Sequence, residues 1–365
     1  MKNDVLFLNH SDGNPRNSEG AFLELSDNRL IFVYSRYSGD SWHDHATCDL
    51  ACRESFDGGR SWTASDRIIY SHNDARVQNI MSVSLLRLPN KRILLFACCK
   101  FTDDDNTVNC IPSVAYSDDE ACSWSKLTAI VPANGYYVLC NDRVVQLANG
   151  RLIAPLANNK NILHYYASDD SGKTWQMITP AIAPDADNDG CAIYQEPGVI
   201  ELADHTLWSF VRTESGRQYG LWSKDSGSSW SKPVPMKDFI SPMAPMLVKR
   251  NPVNGKLTAV WNDHLDRWDA PPPVYTRPGW GDVPTAGRFP LVLAESSDEG
   301  KSWHNARRLE KDPRCGYCYT AMYFTNEALL LAYCCGGLNN TIMLQDLKIV
   351  RIDMQSDGTL EFAGI

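Results

Sequence analysis

Five near-copies of one eight-residue phrase punctuate this chain and restrict its architecture more than any other feature. They are SFDGGRSW (55–62), SDDEACSW (117–124), SDDSGKTW (168–175), SKDSGSSW (223–230) and SSDEGKSW (296–303), with the shared pattern Ser-x-Asp-x-x-x-Ser/Thr-Trp. Successive copies start 62, 51, 55 and 73 residues apart. That spacing is too long for a helical repeat and suits a four-stranded sheet plus a loop. The Asp at the third position can accept hydrogen bonds from the backbone of its own tight turn, and the hydroxyl adds a second local bond. The Trp is then a large anchor between neighbouring sheets. These phrases read as structural turns on the outside of the sheets. Glu120-Ala121-Cys122 in the second copy offers no glycine, so that turn is expected to be degenerate.

Between the repeats lie short apolar or alternating runs such as RLIFVYSRY, SVSLLRL, RILLFACC, TLWSFVRT, KLTAVWND and ALLLAYCC. They are rich in β-branched and aromatic residues and bounded by turn residues, which is the pattern of strands. No amphipathic helix longer than three turns stands out. Five repeats account for five blades, and the segment from about 315 to 352 supplies three more strands. Val5 to Leu8 completes that last blade in this reading, closing the ring and removing both open edges. The expectation is an all-β chain, a single domain over 1–365 and a six-bladed β-propeller, with a ligand site near the axis.

The net charge of −9 argues against nucleic acid as a partner. The first residues, MKNDVLFLNH, do not form a signal peptide, and no run is long enough to span a membrane. The expected location is therefore cytoplasmic. Twelve cysteines, including the neighbours Cys98-Cys99 and Cys334-Cys335 in apolar runs, are expected to be reduced core thiols. Cys315 and Cys318 form one C-x-x-C without a second pair, so zinc is not expected. Asp185, Asp187, Asp189, Gly190 and Glu196 match a calcium-loop pattern letter for letter. Pro180, Pro184 and Pro197 deny it the flanking helices. No cofactor or metal is expected, and the sequence leaves the oligomeric state open.

Repeated Ser-x-Asp turns of this kind, known as Asp boxes, on a propeller resemble the sialidase (neuraminidase) superfamily, and the resemblance spans essentially the whole chain. It implies an exo-acting, retaining glycoside hydrolase that removes a terminal acidic sugar from a glycan. Counting 18 residues back from Trp62 puts the family's acid/base on Asp44. The nucleophile falls on Tyr319, with Tyr317 as the neighbour it is easily confused with, and the glutamate that activates it falls on Glu196. Two arginines of a carboxylate clamp fall on Arg212 and Arg288. The first clamp arginine, 25 residues before the Asp, falls instead on Glu19 in NSEGAFLEL. A carboxylate there inverts the local charge, which leaves the substrate open. Arg16 and Arg36 are the nearby guanidiniums able to compensate, and Glu19 is expected to meet hydroxyls or an amine.

Further candidates come from strand ends expected near the axis. Asn141, Arg143 and Asp263 suit sugar hydroxyls, Trp261 suits stacking on a sugar ring, and Gln195 and His45 flank the two candidate catalytic carboxylates. Two other readings keep the fold. One is a glycosidase on a non-sialic sugar using Glu19 and Glu196 as a carboxylate pair; the other is a non-catalytic glycan-binding propeller.

Overall fold

A computed structural model describes residues 1–268, 288–310, 312–337 and 343–362. These residues form 25 strands and two four-residue helices, so the all-β expectation holds. The N-terminal strand Lys2–Leu8 pairs antiparallel with Asp346–Asp353, which continues through Ala328–Gly336 to Gly316–Phe324. A sheet built on Leu152–Asn158 and Leu163–Ser168 has five strands. Two more have four each, Gln195–Glu201 to Val234–Ile240 and Leu247–Arg250 to His304–Arg308.

The expected six separate blades are not what these strands make. Four blade-sized sheets stand apart, and the remaining strands between Asn17 and Ala129 join into one eight-stranded sheet. The join is a single parallel pairing, Cys48 with Asn79, in an otherwise antiparallel ladder. Asn79 also donates its side-chain amide to the Ala46 carbonyl at 2.6 Å. The arrangement is propeller-like, with four separate blades and one continuous sheet, and the six-bladed reading is corrected accordingly.

The five repeated turns share one bonding pattern. In each, the first Ser donates to the Asp, and the Asp accepts both the backbone N–H and the hydroxyl of the later Ser or Thr. The second turn is no exception. Glu120 and Ala121 take left-handed backbone, φ 57° and 61°, and the Ser117–Asp119–Ser123 bonds form as in the others. The hydrogen bonds outweigh the modest cost of left-handed backbone at a non-glycine residue. The closing Trp side chains then bridge sheets: Trp175 meets Phe96 edge-on at 5.5 Å, and Trp230 stacks on Tyr165 at 4.4 Å. All twelve cysteines are free thiols, and only Cys122 is exposed.

Candidate active site

The strand nearest the axis in several sheets carries the same irregularity. The ladder shifts between Ser18 and Ala21, Met81 and Ser84, Gln195 and Gly198, and Cys318 and Ala321. Within each shift sits a non-glycine residue in left-handed backbone: Glu19 (φ 48°), Ser82 (62°), Glu196 (47°) and Tyr319 (55°). A bulge of this kind re-aims one side chain out of the alternating pleat. Non-glycine residues hold such backbone only where the surroundings enforce it, and functional sites are where they cluster. Here they bring side chains distant in sequence to one place.

The first group is centred on Glu196. The Tyr319 hydroxyl donates to Glu196 Oε1 at 2.9 Å, and Arg212 Nη1 lies 2.7 Å from the other carboxylate oxygen and 3.3 Å from the Tyr319 hydroxyl. Arg288 lies over the Tyr319 ring at 5.4 Å. Arg288 is buried, and its Nε and Nη1 find no hydrogen-bond partner among the described residues. Burial and the Glu196 charge push the Tyr319 phenol well above its ordinary value, although Arg212 and Arg288 pull the other way. Asn141 donates to the carbonyls of Gly20 and Tyr319, so it holds the Tyr319 backbone and is itself buried. Tyr317 instead packs edge-on to Tyr333 in the core.

The second group is centred on Arg16. Its Nη2 donates to Glu19 Oε1 at 2.9 Å and to Ser18 Oγ, and its Nη1 donates to Asp44 Oδ1 at 2.5 Å. Ser82 donates to the second Glu19 oxygen. Both Glu19 oxygens are thus occupied, so Glu19 braces Arg16 rather than facing a sugar hydroxyl. Burial pushes the Glu19 carboxyl up against the pull of Arg16. Asp44 is opposite in character. Partial loss of water around it would raise it, but Arg16 and Lys100 hold it well below the usual carboxylate range. Lys100 Nζ also donates to the Asp44 carbonyl at 2.8 Å. The two groups feel one another, since Glu196 acts on Glu19 and Glu19 acts on Tyr319.

Several expected residues lie elsewhere. Arg36 precedes Tyr37 on its strand, and adjacent side chains point to opposite faces; Tyr37 lies under Arg16, whereas Arg36 pairs with Asp66 at 3.1 Å. Trp261 is 1% exposed and packs edge-on to Phe239 at 5.0 Å, so it offers no face to a sugar. Asp263 is fully buried and accepts from Arg267 and Trp268. Arg143 is buried, donates to the Met246 carbonyl and lines a cavity of about 550 Å³ at the far ends of the inner strands, away from Tyr319. Gln195 donates to Asn161 at 2.9 Å beside the first group, and exposed His45 sits 5.9 Å from the Tyr136 ring beside the second.

Ser82 and Lys100 were not among the sequence candidates. A serine in SVSLLRL and a lysine ending RILLFACCK carry no motif, though a lysine closing so apolar a strand is itself a signal. The calcium-like stretch forms a four-residue helix capped by Asp185, and Asp189 accepts from the Tyr194 hydroxyl at 2.8 Å. Among the described residues no group of three or more His, Cys, Asp or Glu side chains is placed to hold a metal ion.

Comparison with known proteins finds similar chains and a matching family. A sialidase of Clostridium perfringens is 25% identical over 261 residues, covering 63% of this chain and 65% of that protein. An anhydrosialidase of Macrobdella decora is 28% identical over 134 residues, covering 34% of this chain and 17% of that protein. The matches thus span less than two thirds of either curated relative's length. Among solved structures, the intramolecular trans-sialidase from Ruminococcus gnavus, in complex with oseltamivir carboxylate, superposes with a TM-score of 0.69 at 16% identity. That match covers 96% of this chain and 97% of the other, and shows a common fold. The BNR repeat-like domain family matches residues 44–331, well over half of the chain. The chain belongs to the BNR repeat-like domain family.

Proposed function

We propose that the protein is a retaining exo-glycosidase of the sialidase type, acting on a terminal sugar that carries one acidic group. The observation that carries this reading is the contact of the Tyr319 hydroxyl with Glu196 beside two arginines, Arg212 mostly shielded from water and Arg288 buried. A phenol this far above its ordinary value is neutral at rest, so it brings no second anion toward an acidic sugar. As it attacks the anomeric carbon its proton passes to Glu196, and Arg212 and Arg288 stabilise the phenolate charge that develops. Arg288, with N–H groups to spare, receives the acidic group. Asp44 gives a proton to the departing oxygen. It then takes one back from the water that cleaves the tyrosyl–sugar bond, so configuration is retained. The sialidase relatives support the glycan substrate class.

Release of an aryl alcohol from its α-ketoside with N-acetylneuraminic acid tests this reading. The protein should turn it over, and Asp44→Asn and Tyr319→Phe should each lower kcat by roughly 10³-fold or more. Undiminished turnover in both variants overturns the mechanism.

A further inference from the structure

Asp44 is held in a state that contradicts the work asked of it. A proton donor must carry a proton, yet its carboxylate lies 2.5 Å from a guanidinium and its carbonyl accepts from a buried ammonium. The charged and titratable groups that act on it or feel it are Arg16, Lys100, His45, Glu19, Tyr37 and Tyr136. The nearest of these are cations. The two sides of Arg16 differ. Nη2 is fixed by Glu19 and Ser18, both buried, and the guanidinium lies 4.7 Å over Tyr37. Nη1 holds the Trp42 carbonyl and Asp44, and the Asp44 side chain is 57% exposed while Arg16 is 1% exposed. The immobile partner is therefore Arg16, and the partner able to leave is Asp44.

The charge inventory shows what can displace it. Arg16, Lys100, Arg212 and Arg288 outnumber the carboxylates Glu19, Asp44 and Glu196. The site therefore favours an incoming carboxylate.

We propose that Arg16 changes partner during the reaction, passing from Asp44 to the acidic group of the incoming sugar, so that substrate entry itself frees Asp44 to pick up a proton and act as the acid. This rests on the glycosidase reading above and makes Arg16 a positioning residue that couples recognition to catalysis. No covalent bond changes in the exchange. Asp44 takes its proton from water on release and delivers it to the glycosidic oxygen. A neutral sugar leaves Asp44 on Arg16 and loses kcat as well as affinity.

The test is the titration of the Asp44 carboxyl, read as the difference in carboxyl infrared or ¹³C signals between the wild-type protein and Asp44→Asn. Alone, Asp44 should titrate below the ordinary value of ~3.9. Saturating N-acetylneuraminic acid should raise its midpoint by about one pH unit or more, a tenfold gain in protonated fraction. The methyl ester of the same sugar should leave it in place. Arg16→Met should raise the midpoint without any sugar, and the wild-type titration stands on its own if that variant does not fold. Should the acid bind and the aryl ketoside turn over while the Asp44 midpoint stays fixed, the exchange is wrong and the glycosidase reading survives. Should the acid fail to bind at millimolar concentration, both fall.

Discussion

Tyr319 and Glu196, 123 residues apart in sequence, meet through a 2.9 Å hydrogen bond between two strand bulges, each residue in left-handed backbone. Neither lies in a repeated turn. The repeats hold the sheets together from outside, while the bulges on the inner strands turn Glu19, Ser82, Glu196 and Tyr319 toward one another. The geometry of the candidate site is thus built from departures from the regular ladder, and the ladder fixes where those departures occur.

Removing Glu196 leaves Arg212, only 11% exposed, without a counter-charge. Glu196→Ala should therefore destabilise the protein by about 3–5 kcal/mol, the usual cost of orphaning one member of a buried pair. Glu196→Gln, which still offers an acceptor, should cost about 1–3 kcal/mol. Urea midpoints at constant slope distinguish the two.

Gly198, two residues after Glu196, has no room for a side chain. A Cβ there would meet the Phe210 ring at 2.2 Å, and Phe210 is itself buried. Gly198→Ala should cost about 1–3 kcal/mol through overpacking. A thermal midpoint equal to wild type would show that the Phe210 ring gives way.

The turn aspartates predict an acid response. Hydrogen bonds from Ser123 and Thr174 hold Asp119 and Asp170 down at about 2. A carboxyl lowered on folding contributes stability that is present above its unfolded value of ~3.9 and is lost as pH falls through the folded value. Calorimetric melting between pH 5 and 2 should show that loss, and Asp119→Asn should flatten the slope. An unchanged slope would mean that the turns add nothing at low pH.

Cys318 faces Cys334 across the strand pair and lies beside Arg288. Burial alone would raise this thiol, but the hydrogen bond from Cys334 and the Arg288 charge bring it down to about 7. The thiolate absorbance difference between wild type and Cys318→Ser should show a midpoint near that value. A midpoint in the ordinary thiol range would mean that Arg288 does not face the sulfur.

What the sequence makes legible follows from what is local. Each Ser-x-Asp turn is closed by residues within eight positions, so the five repeats were readable, as was the all-β character. The resemblance to the sialidase superfamily, counted back from Trp62 and matched along the strands, implied Asp44, Glu196, Arg212, Arg288 and Tyr319, which the structure brings into contact range as two linked groups. The merged sheet was not readable, because the Cys48–Asn79 pairing is tertiary and leaves no local pattern. Trp261 and Arg36 misled for another reason. Alternation along a strand decides which face a side chain takes, and both point to the face away from the site. Glu19 marked the right position, but its meaning depends on Arg16 and Ser82, whose approach only the fold reveals.

In the proposed reaction Tyr319 attacks the sugar with Glu196 as its base. Intact-protein mass spectrometry after incubation with 2,3-difluorosialic acid measures this directly. A single sugar adduct is expected, mapped to the peptide carrying Tyr319 and absent from Tyr319→Phe. An adduct on another residue, or none in a protein that still cleaves the aryl ketoside, contradicts it.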